Sequence, residues 1–261
     1  MSAPSVLLEK SGAVATITLN RPDRYNAINQ DLKEAFKGHL NDCKNDDNIR
    51  VIILTGSGKG FCAGADMMDL ASNPSPRDVR DDLQLNYGAI IRLLTDMHKP
   101  VICAINGPIA GAGIGFGLAC DYKIMADSAS LRFAFANIGL VSDAGATWFL
   151  TREVGYTKAL EIIYEGNKIP ASECLKLGIV NEVVPRDEIL DAAKKKADYL
   201  VQKSPLAFDA TKKAIKFAMT NGLFDTISFE GREQMSLIVS EDHKEAVQAF
   251  IEKRSPEFKG K

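Results

Sequence analysis

Two glycine-rich segments, each directly after a short apolar run, constrain the fold of this chain more than any other feature. They are 55-TGSGKGFCAGAD-66 and 104-AINGPIAGAGIGFGLACDYKI-124. The apolar runs that lead into them, 50–56 and 100–107, and a β-branched run at 13–19 are typical of buried strands. Because helical periodicity fills the intervals between these runs, we expect parallel strands joined by helical crossovers in an α/β layer.

Beyond about residue 150 amphipathic helices dominate the pattern, each with one apolar stripe and one polar face. The longest of them are predicted at 187–203, 205–219, 222–238 and 242–253. We therefore expect a core formed by residues 1–200 and a C-terminal helical region at 201–261. The stretch 71–82 holds two prolines and charges of both signs, which predicts an exposed loop.

The composition excludes several classes of protein. Of the 261 residues 46% are apolar, and 32 basic residues against 34 acidic ones leave a net charge of −2. This balance argues against disorder and against nucleic acid as a partner, since phosphate backbones are bound by clustered Lys and Arg. The five cysteines form no CxxC pair and the three histidines are scattered, so no metal site is expected. We find neither a signal-peptide pattern nor an apolar stretch of about 20 residues, which predicts a cytoplasmic protein that does not enter a membrane.

The glycine-rich segments suggest a specific chemistry. A strand-to-helix junction of this kind leaves backbone N–H groups unpaired, and such groups bind an anion or a developing oxyanion. A phosphate loop is excluded because Lys59 is followed by Gly60, and a dinucleotide fingerprint fails because Phe116 stands where its third glycine is required. For one such turn, close packing of a helix on the sheet is the better explanation. Two turns of the same design favour two donors that converge on the oxygen of a thioester enolate.

Five segments, in order and spacing, resemble the enoyl-CoA hydratase/isomerase (crotonase) family over essentially the whole chain. They are 19-LNRPDRYNAIN-29, 60-GFCAGADMMDL-70, 99-KPVICAINGPIAGAGIGFGLACDYKI-124, 138-IGLVSDAGATWFL-150 and 250-FIEKRSPEF-258. The resemblance implies a crotonase-like spiral of ββα units with a helical C-terminal trimerisation region. It also implies a homotrimer or dimer of trimers and an acyl-CoA thioester substrate. Coenzyme A is then part of the substrate, and no further cofactor is expected.

The resemblance also implies roles for individual residues. The backbone N–H groups of Ala65 and Ala112 are the oxyanion donors. Ala63 faces the adenine, while Arg24 and Ala27 lie along the CoA. In the tail, Phe258 and Lys259 place an aromatic ring and a cation near the nucleotide. The other residues assigned to substrate binding are Asp66, Met67, Gly111 and Phe135.

The catalytic carboxylates distinguish the members of this family. Hydratases of the family use two glutamates, and this chain has Gly115 and Phe135 at the corresponding positions. Asp143 is the acidic residue that remains, among largely apolar neighbours that would raise its pKa toward that of a useful base. The alternative is that Asp143 caps a helix predicted at 144–153.

A single aspartate at this position resembles the isomerase branch, which includes ring-epoxyphenylacetyl-CoA isomerases and enoyl-CoA isomerases. We therefore expect an enoyl-CoA double-bond isomerase. A hydratase of fatty-acid or aromatic-acid degradation and a non-catalytic acyl-CoA binder are the alternatives. Aryl-CoA dehalogenation is less favoured because Arg92 stands where that reaction needs a histidine.

Overall fold

The structure is a computed structural model that describes residues 3–66, residue 68 and residues 75–261. The strands within these residues are short and alternate with helices along most of the chain. In chain order they are β1 (Val6–Ser11), β2 (Val14–Leu19), β3 (Val51–Gly56), β4 (Val101–Ile105), β5 (Ile109–Ala110), β6 (Tyr122–Ala126), β7 (Ser130–Arg132), β8 (Ile169–Pro170) and β9 (Glu182–Val184).

Six strands form the central sheet, in the order β1-β2-β3-β4-β6-β9. Strand β1 pairs antiparallel with β2, and the remaining neighbours in the sheet are parallel. Every residue of β3 and β4 is buried, as expected for strands covered by helices on both faces. The strands predicted at 13–19, 50–56 and 100–107 are confirmed as β2, β3 and β4.

A second, smaller row of strands runs beside the central sheet. It consists of a bridge between Cys62 and Ile109, the parallel pair β5 and β7, and the antiparallel pair β7 and β8. After each of β3, β4 and β6, the chain reaches this second row within a few residues and then enters a helix. The repeated path of strand, strand and helix is the spiral of ββα units that we expected.

The helices of the described residues are concentrated in the second half of the chain. They are α1 (Gln30–Asn45), α2 (Pro76–Asp82), α3 (Gly88–Thr95), α4 (Ala112–Leu118), α5 (Ala146–Glu165), α6 (Ala171–Lys176), α7 (Ile189–Val201), α8 (Pro205–Ala218), α9 (Leu223–Leu237) and α10 (Glu241–Glu252). A π-helical turn, Leu83–Tyr87, joins α2 to α3. The predicted C-terminal helices are confirmed as α7 to α10, and the predicted domain boundary at residue 200 falls at the end of α7. No helix in the described part of the chain is both long and apolar enough to cross a membrane.

The two faces of the central sheet carry separate cores. On one face, α7 packs through residues spaced four or three apart, such as Ile189, Ala193 and Ala197, against Val51 and Ile102. The other face carries the larger core, to which α1, α3 and α4 contribute their apolar stripes. This arrangement fixes the carboxyl ends of β3 and β4, and therefore the two glycine-rich turns, between well-packed layers.

The stretch 71–82 differs from the expected loop. Residues 71–74 lie outside the described part of the chain, and α2 occupies Pro76–Asp82. The Ser75 side chain accepts a hydrogen bond from the Asp78 N–H, and the Asp78 carboxylate accepts one from the Ser75 N–H. This capping box, followed by a proline in the first turn, starts a helix. The loop prediction was wrong for residues 76–82, because Pro76 occupies the first helical position, where proline is favoured.

Candidate active site

The two glycine-rich turns meet at the carboxyl ends of β3 and β4. Gly64 and Gly111 have φ values of 90° and 54°, a region that favours glycine. A Cβ on Gly64 would lie 3.1 Å from the Cα of Gly111 and 3.3 Å from the amide nitrogen of Ala112. The absence of both side chains therefore lets the two backbones approach closely.

The amide groups of Ala65 and Ala112 are both available as donors beside this contact. Ile28 donates its N–H to the carbonyl of Gly64 and accepts from the N–H of Asp66, at 2.8 and 2.9 Å. In a parallel bridge of this kind, the N–H of the intervening Ala65 points away from Ile28. Ala112 is the first residue of α4, where an N–H has no partner within the helix. Among the described residues, neither of these N–H groups has a hydrogen-bond acceptor, so both can bind one oxygen atom.

Two buried asparagines hold the first turn in place. The side-chain amide of Asn26 donates to three carbonyls of the loop at residues 57–61, at 2.9 to 3.1 Å. Asn106 accepts from the Gly56 N–H at 3.1 Å and donates to carbonyls of the same loop. Sequence reasoning did not single out either residue. The sequence does contain a signal for Asn106, which is a polar residue directly after an apolar strand. Such a residue is expected to form structural hydrogen bonds, because buried amides are nearly always hydrogen-bonded.

Asp143 does not cap the helix that follows it. The N-cap of α5 is Gly145, which has a left-handed conformation, and no side chain caps this end. The Oδ1 atom of Asp143 is buried and has no hydrogen-bond partner among the described residues. Loss of hydration raises the pKa of Asp143 to about 6, and the negative charge of Asp82 adds to this rise. Helix capping therefore does not account for this carboxyl group, and its pKa suits proton exchange near neutral pH.

The positions of the two hydratase glutamates are occupied in this chain by Gly115 and Phe135, which have no carboxyl group. A Cβ on Gly115 would lie 2.2 Å from the carbonyl oxygen and 2.7 Å from the Cβ of Ala144. The loop of Asp143 therefore packs directly on α4, and it leaves no room for a side chain at Gly115. Phe135 is a buried apolar side chain, 7% exposed. Neither position can present a carboxylate.

The residues predicted to contact CoA occupy different surroundings. Arg24 and Ala63 are exposed, and Ala27 is buried beside them. Asp66 is buried and forms an ion pair with Arg21 at 2.8 Å. Its other carboxylate oxygen accepts the Met68 N–H, and both contacts lower the pKa of Asp66. Asp66 is thus already engaged within the protein, and Met67 lies outside the described residues.

The tail lies at the other end of the sheet in its own protomer. The carbonyl of Phe258 accepts a hydrogen bond from Arg50, which directly precedes β3, at 2.8 Å. The Lys259 N–H donates to the buried carboxylate of Asp242 at 2.7 Å. The glycine-rich turns follow the carboxyl end of β3, so a six-residue strand of about 20 Å separates them from the tail. The structure therefore does not bring Phe258 and Lys259 to Ala65 and Ala112 within one chain.

Several known proteins are similar to this chain over almost its whole length. A family model described as enoyl-CoA hydratase/isomerase matches residues 9–261. The chain is 37% identical over 260 residues to 1,2-epoxyphenylacetyl-CoA isomerase of Escherichia coli K12, with 98% of each chain covered. It is 34% identical to a short-chain-enoyl-CoA hydratase of Clostridium acetobutylicum, again with 98% of both covered. A crystal structure of an enoyl-CoA hydratase from Bacillus anthracis superimposes with a TM-score of 0.94 at 33% identity, over 98% of this chain and 100% of the other.

Proposed function

The chain belongs to the enoyl-CoA hydratase/isomerase family and acts on acyl-CoA thioesters, and on this premise we propose that it is an enoyl-CoA double-bond isomerase. The single observation that carries the proposal is that Asp143 supplies a carboxyl group beside α4, while the two positions of the hydratase glutamates supply none. Asp143 has a buried, unpartnered oxygen atom and a pKa of about 6. Gly115 and Phe135 stand where a hydratase has its glutamates.

The reaction needs one base and one oxyanion site. Asp143 removes a proton from the α or γ carbon of the enoyl thioester, and the electron pair moves to the thioester oxygen. The N–H groups of Ala65 and Ala112 donate hydrogen bonds to that enolate oxygen, and each donor of this kind contributes roughly 10²- to 10³-fold in rate. Asp143 then returns the same proton to the other end of the conjugated system. Hydration, in contrast, requires groups that activate water and deliver a proton, typically worth 10²- to 10⁴-fold each.

We also propose that the enzyme works as a homotrimer or a dimer of trimers. Large apolar side chains on α9 and α10, among them Phe224 at 81% and Phe250 at 85% exposed, are left uncovered by the described residues of a single chain. Closed symmetric association buries such a surface. Phe258 and Lys259 would then contact the CoA bound to a neighbouring subunit. The active site of their own subunit lies at the opposite end of β3, out of their reach. Coenzyme A is carried by the substrate, and the proposed reaction needs no other cofactor.

Turnover assays test the isomerase directly. The protein is incubated with 3-enoyl-CoA and 2-enoyl-CoA esters of increasing chain length and with aryl esters, and the absorbance of the conjugated thioester is followed. We expect a double-bond shift and little hydration of crotonyl-CoA. The Asp143→Asn variant is expected to lose at least about 10²-fold in turnover, while Asp81→Asn, on α2 with a side chain 42% exposed, keeps wild-type activity.

The outcomes distinguish the alternatives. Efficient hydration of crotonyl-CoA without a double-bond shift would favour a hydratase, the activity named for several relatives. Tight binding with no turnover of any ester would favour a non-catalytic acyl-CoA binder. Near-full isomerase activity of Asp143→Asn would reject Asp143 as the base.

A further inference from the structure

The residue that follows the proposed base has a strained backbone. Ala144 has a φ of 47°, in the left-handed region where the Cβ of an L-residue crowds a carbonyl oxygen. Among the described residues, three other non-glycine residues have a positive φ, namely Tyr25, Asn26 and Lys253. Tyr25 and Asn26 hold the first glycine-rich turn, where the Tyr25 carbonyl accepts the Ala63 N–H at 2.9 Å. Strain of this kind persists where the surroundings enforce it, and it clusters at active sites.

The contact between Ala144 and helix α4 enforces this conformation. A Cβ on Gly115 would lie 2.2 Å from the carbonyl oxygen, 2.7 Å from the Cβ and 3.0 Å from the carbonyl carbon of Ala144. These three atoms therefore fill the space that a side chain at Gly115 would need. Ala144 is also packed against the larger core. The left-handed backbone is thus held in place by the helix and by the core together.

The start of helix α5 does not by itself require an alanine in this conformation. The N-cap of α5 is Gly145, which is also left-handed, and glycine adopts this region without strain. Glycine at position 144 would form the same turn with less strain, but it would also leave the backbone of the loop freer to move. An alanine here therefore favours a fixed position of the loop over the stability of the turn.

The same contact connects the proposed base to the oxyanion site. Gly115 lies three residues after Ala112 on α4, so the two residues share one side of the helix, about 4.5 Å apart along its axis. Ala144 directly follows Asp143, whose carbonyl accepts the Ala146 N–H at 2.9 Å. The Oδ1 atom of Asp143 has no hydrogen-bond partner among the described residues. The position of this oxygen therefore depends on the backbone of the loop.

We infer that Ala144 is a positioning residue, whose left-handed backbone, packed on Gly115, sets the distance between the Asp143 carboxyl group and the oxyanion donor of Ala112. The inference rests on the proposed function, in which the base and the donor act on atoms of the same thioester. Both groups must then be held at one spacing, and a displacement of about 1 Å can lower the rate about 10²-fold.

The Ala144→Gly variant tests the inference without adding an atom to the site. We expect kcat for isomerisation to fall by about 10- to 10²-fold with KM unchanged, because the loop loses its fixed position while the thioester still binds. The Tm should stay close to the wild-type value, since relief of the strain offsets the lost methyl contact. Lys253→Gly relieves the same conformation at the end of α10 and is the matched control, with wild-type kcat. A merely structural role of Ala144 predicts wild-type kcat in the folded variant.

The Gly115→Ala variant disturbs the same contact from the side of the helix. Its Cβ would lie 2.2 Å from the Ala144 carbonyl oxygen, so the loop of Asp143 must move away from α4. We expect kcat to fall here as well. Gly38→Ala is the matched control, because it adds a methyl group to helix α1 at a position where nothing lies within 4 Å, and it should keep wild-type kcat. Wild-type kcat in Gly115→Ala would contradict the inference.

Hydrogen exchange on the free protein separates this inference from the proposed function. The amide of Ala146 reports on the loop, because its N–H is donated to the Asp143 carbonyl. Its exchange should be faster in Ala144→Gly and Gly115→Ala than in the wild type and the two controls. Faster exchange supports the positioning of the loop even if the wild type shifts no double bond, a result that would reject the proposed function alone. Wild-type exchange and wild-type kcat in Ala144→Gly overturn the inference, even where Asp143→Asn abolishes isomerisation and the proposed function stands.

Discussion

Replacing Asp143 by Asn should stabilise the protein at neutral pH while it removes the proposed base. The pKa of Asp143 rises from 3.8 to about 6 because burial disfavours the charged form. At pH 7 the carboxylate is ionised in both the folded and the unfolded chain, and it carries this burial penalty only in the folded one. A difference of about two units, at 1.36 kcal/mol each, corresponds to about 3 kcal/mol.

The sign of the pH dependence follows from the same shift. A raised pKa means that the folded protein holds the proton more tightly than the unfolded chain does. The penalty is therefore fully present above about pH 6, decreases as the pH falls toward 4, and vanishes when the carboxyl group is protonated in both states. Asn has no ionised form, so the advantage of the variant should follow this curve. At pH 7.5 we expect the free energy of unfolding of the variant to exceed that of the wild type by at most about 3 kcal/mol. The value is an upper limit because the buried amide loses some hydrogen bonds with water.

The assay compares urea denaturation of the wild type and of Asp143→Asn from pH 4 to 8. Protein concentrations must be equal, because association contributes to apparent stability. Asp81→Asn serves as the control for removing an exposed aspartate and should follow the wild type at each pH. A variant that is equally stable at pH 7.5, or whose advantage does not change with pH, would refute the reasoning that Asp143 is a desolvated carboxylate.

Three further predictions concern the rest of the site. Gly115→Glu should lower the free energy of unfolding by at least about 2 kcal/mol and should not create a hydratase, because its Cβ meets the backbone of Ala144 at 2.2 Å; denaturation and crotonyl-CoA hydration assays check both. Lys259→Ala should weaken CoA-ester binding in calorimetry with an unchanged Tm, since only the backbone of Lys259 holds Asp242; an unchanged affinity would assign the tail a structural role alone. Light scattering should give the mass of a trimer or hexamer, and a stable 28.4 kDa particle at micromolar concentration would contradict the proposed assembly.

Much of the fold follows from local patterns in the sequence. The strands β2, β3 and β4 are recognisable because fully buried strands require continuous apolar runs, and the C-terminal helices because their apolar residues recur at helical spacing. The two glycine-rich turns are recognisable because a positive φ, as at Gly64 and Gly111, favours glycine over other residues. Asp143 stands out as a carboxyl group among apolar neighbours. Each of these signals is carried by residues that are adjacent in the chain.

The tertiary structure decided what those local signals left open. Whether Asp143 caps α5 or stays unpartnered depends on the left-handed turn at Gly145 and on the packing of Ala144 against Gly115. The tail illustrates the same limit, because its placement depends on the contact between Phe258 and Arg50 at the far end of β3. The ion pair between Lys33 of α1 and Asp82 of α2, 2.6 Å apart, left no pattern in the sequence because its members lie on separate helices. Such features arise from contacts between residues distant in the chain, and the free energy of these contacts exists only once the layers have packed.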